Sequence, residues 1–359
     1  MTPPSNPPAL SMLLNIITPI LLSLSTLAAP QKASEAPAVE VPANDALAPE
    51  DPRPGWLVPV DGLGVGMYIP EDERLVYLVR LDMAVVGKIN VGSFVITSKV
   101  DDYREGLPRL GSKVDKPKKR KGHIQGRAEG RYLNYTLGHS IDARILPQVW
   151  PHVIVRDYQT GSENRRREIK YGRRNDKPMS WYRRDRHCRG CDRREHFVKG
   201  RLFSSEHHCK KCKRAEHRDW DAPQMQTVPE GALDMLSSIF VARELVINQG
   251  ETLEFPLLDK DSWWDLRMTL GREANVKTAA GTFACQAVKL DPKPPEGADK
   301  RKDFKGLFGI HGTLSIWLDK ASGVPVKIEG IVPLGPLDLD VSIALQSHSG
   351  APKKFKAME

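Results

Sequence analysis

The sequence predicts a mainly β protein, an antiparallel sheet packed on one helix and interrupted by a zinc-ribbon-like knuckle. Three observations lead there. Several stretches alternate apolar and polar residues with a period of two, the mark of half-buried strands. The 359 residues include 28 Pro and 28 Gly, which favours many turns over long helices. Four of the five cysteines stand in two Cys-x-x-Cys pairs within one basic segment. The length suits two domains of ~150 residues or one large β structure of ~200–250.

Residues 1–29 read as a secretory signal: Met1 to Gln31 carry no charge, and "MLLNIITPILLSLSTLAAP" is an apolar run ending in small residues. This predicts a periplasmic or otherwise exported protein. The rival is an uncleaved anchor, because ~20 mostly apolar residues also suffice to span a bilayer and hold the chain at a membrane. Residues 30–56, rich in Ala, Pro and Glu, bury too little apolar surface to fold and read as a linker.

The N-terminal half of the β domain is assigned to 57–179. "DGLGVG" around Gly62 and Gly64 reads as a turn, since no helix follows to present amides to a phosphate. In "ERLVYLVRLDMAVVGKINVGSFVITSKV" Leu75, Tyr77, Val79, Leu81, Met83 and Val85 alternate, and Gly87 opens a second strand. "LPRLGSKVDKPKKRKGHIQG" reads as a solvated, charged hairpin loop. "GRYLNYTLG" suggests another strand, and "HVIVRDYQTGSENRRREIKYGRR" an antiparallel pair turning at "QTGSEN".

Residues 221–350 return to the same β domain. The segment 232–247 is the best helix: Met235, Ile239, Ala242 and Val246 share one side, Asp234 is placed to cap, and Gly250 follows the end. A meander follows, in which Leu337, Leu339, Val341, Ile343 and Leu345 alternate strictly and "KASG" closes a hairpin. The adjacent Trp263 and Trp264 face opposite sides of a strand, one of them packing inside. "DPKPPEGADKRKDFKG" is a charged loop, and the tail 351–359 is expected to fray.

Residues 180–220 form the zinc-ribbon-like insertion. Cys188, Cys191, Cys209 and Cys212 follow C-x2-C-x17-C-x2-C, close to a two-knuckle zinc site. Four thiolates at about 2.3 Å would close a tetrahedral shell around one ion, and a shell with no open position is structural. Residues 101–220 hold 32 Lys and Arg against 16 Asp and Glu, a net +16, while the rest of the chain is −7. Part of that excess compensates a centre of charge about −2. A histidine such as His187, His196 or His207 could replace one cysteine. Two intra-motif disulfides, or a redox pair, are the alternatives that an oxidising compartment favours. Cys285 reads as a buried core thiol.

No nucleophile elbow, His-Glu-x-x-His or phosphate loop occurs, and Asp259, Asp261 and Asp265 have no spacing that selects a catalytic pair. His139 beside Ser140 reads as a packing or surface dipeptide. The sequence therefore leans away from an enzyme. The rivals are an envelope thiol-redox protein or enzyme, and a basic zinc-ribbon binder of nucleic acid or an anionic surface; export disfavours nucleic acid as a partner.

The helix residues Asp234, Leu236, Ser237, Phe240 and Arg243, the "GTF" strand, and Trp317, Asp319, Pro325 and Val326 together resemble a bacterial exported family, domain of unknown function 3108. The likeness covers most of residues 70–346. It implies an envelope location and a curved antiparallel sheet beside a helix. A looser likeness to lipoprotein-carrier half-barrels adds an apolar cavity by analogy, hence an apolar or envelope ligand. The resemblance implies no activity and no catalytic residue, and the cysteine insertion departs from the pattern.

Overall fold

A computed structural model describes residues 55–83, 87–103, 119–132, 135–146, 152–161, 165–187, 218–297, 304, 306, 310–334 and 337–358. The proposed signal, nearly all of the linker, and all four paired cysteines lie outside the described residues. Among those described, no helix is long and apolar enough to cross a membrane.

The protein is mainly β, as the alternation predicts. A short hairpin, β1 (Gly55–Pro59) with β2 (Gly66–Pro70), precedes one large sheet. Its first strands are β3 (Asp72–Met83), β4 (Gly87–Tyr103), β5 (Lys119–Tyr132), β6 (Tyr135–Leu146), β7 (His152–Gly161), β8 (Arg165–Arg174) and β9 (Lys177–His187). Each pairs antiparallel with the next. The β8–β9 link is the two-residue turn Asn175–Asp176, both at positive φ, which suits the right-handed twist of the flanking strands.

The edge of β9 carries β10 (Arg218–Trp220) and β11 (Gln224–Thr227). His187 pairs with Arg218, so segment 188–217 leaves and re-enters at hydrogen-bonded neighbours. The chain next forms β12 (Leu233–Asp234) and α1 (Met235–Ile247), the one helix among the described residues. The meander β13 (Thr252–Asp259), β14 (Ser262–Thr278), β15 (Gly281–Lys293), β16 (His311–Asp319), β17 (Pro325–Leu334) and β18 (Leu337–Ser349) completes the sheet, with β18 paired antiparallel to β3.

The sheet is curved and not closed by hydrogen bonds, yet its two ends approach. Only residues 228–232 separate β11 at one edge from β12 at the other. Tyr171 of β8 donates to Asp234 at 2.8 Å across that gap. The sheet curls around α1, which touches β5 and β6 on one side and β13 and β15 on the other. Residues 236–246 of α1 are buried all round, so this is an enclosed helix and not the one-sided helix that Met235, Ile239, Ala242 and Val246 suggest.

Asp234 caps α1 as predicted, accepting from the amides of Leu236 and Ser237. The helix ends differently. Gln249 takes the left-handed conformation at φ 53°, and Gly250 bonds back to Leu245 as the following residue. On the helix, Arg243 makes a two-pronged pair with Glu73 of β3 at 2.7 and 3.0 Å, both side chains 1% exposed. The β1–β2 hairpin fills the same end of the curl, burying Met67, Tyr68 and Ile69.

Three sequence expectations are corrected. Lys119–Gly126, expected in a solvated loop, is strand: Gly122, Ile124, Gly126 and Ala128 face inward, and a Cβ on Gly122 would meet Ile69 at 2.4 Å. The inward face is small because the β1–β2 hairpin already occupies the space beside it. "GRYLNYTLG" is not one strand but parts of two: Gly130–Tyr132 end β5 and Tyr135–Gly138 begin β6, with Tyr132 opposite Tyr135. The C-terminal tail is docked: Phe355, 5% exposed, stacks on Phe283 at 4.6 Å, and the Met358 amide bonds Thr282.

Candidate functional site

With α1 and the β1–β2 hairpin filling one end of the curled sheet, a cavity of ≈ 660 Å³ occupies the other. That volume falls within the ~300–1,000 Å³ of small-molecule sites. Its floor is the start of α1, Asp234 to Leu236, and its wall draws on β3 to β8, β13, β17 and β18. Leu81, Phe94, Ile141, Val155, Ile169, Val341 and Ile343 make most of that wall apolar. Phe304, lodged against Trp264 at 5.4 Å, and Ile310 line it from the connection between β15 and β16.

The strand registers place a polar cluster on this wall. His139 of β6 stands opposite Gln159 of β7, which stands opposite Arg165 of β8. One inward row further, Ile141, Asp157 and Arg167 align; beyond them come Ala143, Val155 and Ile169. Polarity therefore falls off within two rows toward α1. His139 Nε2 lies 2.6 Å from Asp157 Oδ1, and Arg167 Nη1 lies 3.7 Å from Asp157 Oδ2. Burial alone would raise the Asp157 carboxyl, but the His139 bond and the positive charge of Arg165 and Arg167 outweigh it and hold it below the usual carboxylate range. Burial first, then the neighbouring Arg165, depresses the basicity of Arg167. Asp259 is engaged by Lys260 at 2.6 Å.

None of these groups was a predicted site residue. His139 beside Ser140 reads as a packing or surface dipeptide, and the three arginines after "QTGSEN" look alike in sequence although Arg165 and Arg167 line the cavity. The alternation Val153, Val155, Asp157, Gln159 against Arg165, Arg167, Ile169, Tyr171 is the signal that finds them. The predicted metal ligands Cys188, Cys191, Cys209 and Cys212 lie outside the described residues, and no group of potential metal ligands occurs among those described. Cys285 is buried as expected, its thiol pushed up to about 12 by burial and by Asp319.

The residues that carried the family resemblance all have structural partners. Asp234 caps α1 and also accepts from the Ser237 hydroxyl. Arg243 pairs with Glu73, and Trp317 donates to Glu329 at 2.7 Å. Asp319 accepts from the Ser322 amide and hydroxyl to close the β16–β17 turn, and the Pro325 carbonyl accepts from Tyr77. Residues 211–342 match the family model described as "Protein of unknown function (DUF3108)". That stretch holds α1 and most of the meander, and is shorter than the 70–346 that the resemblance suggests. The polar cluster on β6 to β8 precedes it. No curated protein and no solved structure matches the chain.

Proposed function

We propose that this protein is a non-enzymatic binder, exported to the cell envelope, that holds one apolar or amphiphilic small molecule inside its curled sheet. The observation that carries the reading is the 660 Å³ cavity between α1 and the strands, apolar for most of its wall. The apolar segment before the linker supports export.

The test is a fluorescence titration of the full chain with the apolar dye N-phenyl-1-naphthylamine. Saturable binding of about one dye per chain is expected, and Ala128→Phe, which projects a ring from β5 into the cavity, should abolish it. Absence of saturable binding, or binding indifferent to Ala128→Phe, would refute the reading.

A structural zinc held by Cys188, Cys191, Cys209 and Cys212 belongs to the same proposal. Supporting it, the paired flanks His187 and Arg218 bring the two ends of the cysteine segment together, as a compact metal-bound excursion requires. Elemental analysis should find about one zinc per chain; metal-free protein with all four thiols blocked to alkylation would favour disulfides.

A further inference from the structure

One cation on the cavity wall has no carboxylate within ion-pair distance among the described residues. Arg165 and Arg167 sit two residues apart on the inward face of β8, roughly 6.7 Å along the strand. Asp157 is the carboxylate facing them, and it is already shared between Arg167 and His139. Asp259 and Lys260 offset each other, as do Glu129 and Arg131, which are exposed on β5. Asp234, on the floor, is committed to the cap of α1 and to Tyr171. That leaves Arg165, whose Nε is shut off from solvent and has no hydrogen-bond partner. A guanidinium N–H closed off from water without an acceptor is costly unless something else completes it.

We propose that the molecule held here is an amphiphile with a single oxyanion head, a carboxylate or a phosphate monoester, seated on Arg165 and Arg167. Its hydrocarbon part runs from that head over Ile141 and Val155 toward Leu236. The proposal rests on the cavity being a ligand site, and adds what the ligand must be. Two features support it beyond the unpartnered Nε. The planar fork of a guanidinium meets both oxygens of a carboxylate or phosphate, which a point charge does not. The three inward rows pass from His139, Gln159 and Arg165 to the wholly apolar Ala143, Val155 and Ile169, an order that matches a head followed by a tail. Gln159, itself buried, adds a neutral polar group beside the head.

Competition against the bound dye, on the full chain, tests this with dodecanoate, dodecyl phosphate and dodecanol. At least one of the two anions should displace the dye about 10- to 100-fold more effectively than dodecanol, the range for a charge-assisted bond. The tighter of the two identifies the head. Arg165→Gln, at a side chain that makes no hydrogen bond among the described residues, should erase that preference and bring both anions to the level of dodecanol. Dodecanol competing as well as both anions, or an anion preference that survives Arg165→Gln, overturns the inference and leaves the apolar cavity standing. Failure of all three to displace the dye overturns both readings. Should Arg165→Gln not fold, the anion-to-alcohol ratio in the unaltered protein decides alone.

Discussion

Replacing Glu73 by Leu should destabilise the fold by about 3–5 kcal/mol, the cost of orphaning one member of a buried ion pair. The structure places this change at the high end of what a single substitution does. Both Glu73 and Arg243 are 1% exposed, both Arg243 Nη atoms bond the carboxylate at 2.7 and 3.0 Å, and the Arg243 Nε has no partner. Without Glu73, the guanidinium loses both charge-assisted bonds, each ~1.5–3 kcal/mol, and water does not reach it in exchange. For a domain of ~300 residues the loss corresponds to roughly 5–8 °C in Tm. Urea unfolding followed by circular dichroism measures it. The double variant Glu73→Leu with Arg243→Met should recover most of the loss, because an apolar pair of similar volume carries no desolvation debt. A single variant within about 1 kcal/mol of the parent, or a double variant whose loss is the sum of the two single ones, would refute the claim that the pair pins α1 to the wall.

Gln249→Gly should stabilise the protein by about 0.5–1 kcal/mol, because a residue at φ 53° past the helix end is relieved of its Cβ; a lower urea midpoint would contradict this. Asp157 and Glu168 have depressed carboxyl pKa values in the fold: burial opposes the shift, and His139 for the first and Arg156, Lys170 and Arg183 for the second outweigh it. Their contribution is present above the unfolded values near ~4 and is lost as pH falls through the folded ones, so the urea midpoint should drop below about pH 4.5 and drop less steeply in Asp157→Asn. Cys285, with its thiol pushed up to about 12, should resist iodoacetamide at pH 8 in the native protein and react in urea; peptide mass mapping reads this directly.

How much of the molecule the sequence discloses depends on what each strand faces. β3 and β18 are legible because their inward residues are large and apolar: Leu75, Tyr77 and Leu81 on one, Leu339, Val341, Ile343 and Leu345 on the other. β5 is not, because Gly122, Gly126 and Ala128 make room for neighbours, and a small inward face leaves no hydrophobic period to detect. α1 is recognisable by its cap and its apolar residues, but its burial on every side follows from the curl of a sheet that no local pattern encodes. The polar cluster escapes for a related reason. An arginine that points inward is the same letter as one that points to water, and only the registers of β6, β7 and β8 bring His139, Asp157, Arg165 and Arg167 into one wall. Phe355 likewise looks like part of a charged tail until its ring is seen against Phe283.

The ladder between β3 and β18 sets the order in which the chain is able to assemble. From β3 to β9 and from β13 to β18, each strand pairs with its neighbour in sequence and needs only a hairpin or a modest loop to close. Arg74 and Ser349, by contrast, pair across 275 positions. Closing a loop of that length costs about 3 kcal/mol more than closing one of ten residues. Two arcs of sheet are thus able to form early and independently, and only the final strand joins them and seats Tyr77 against Leu345. A chain cut before Leu337 would leave the edge of β3 bare along its length, an open template for other chains, so its expected fate is aggregation and not a smaller folded domain.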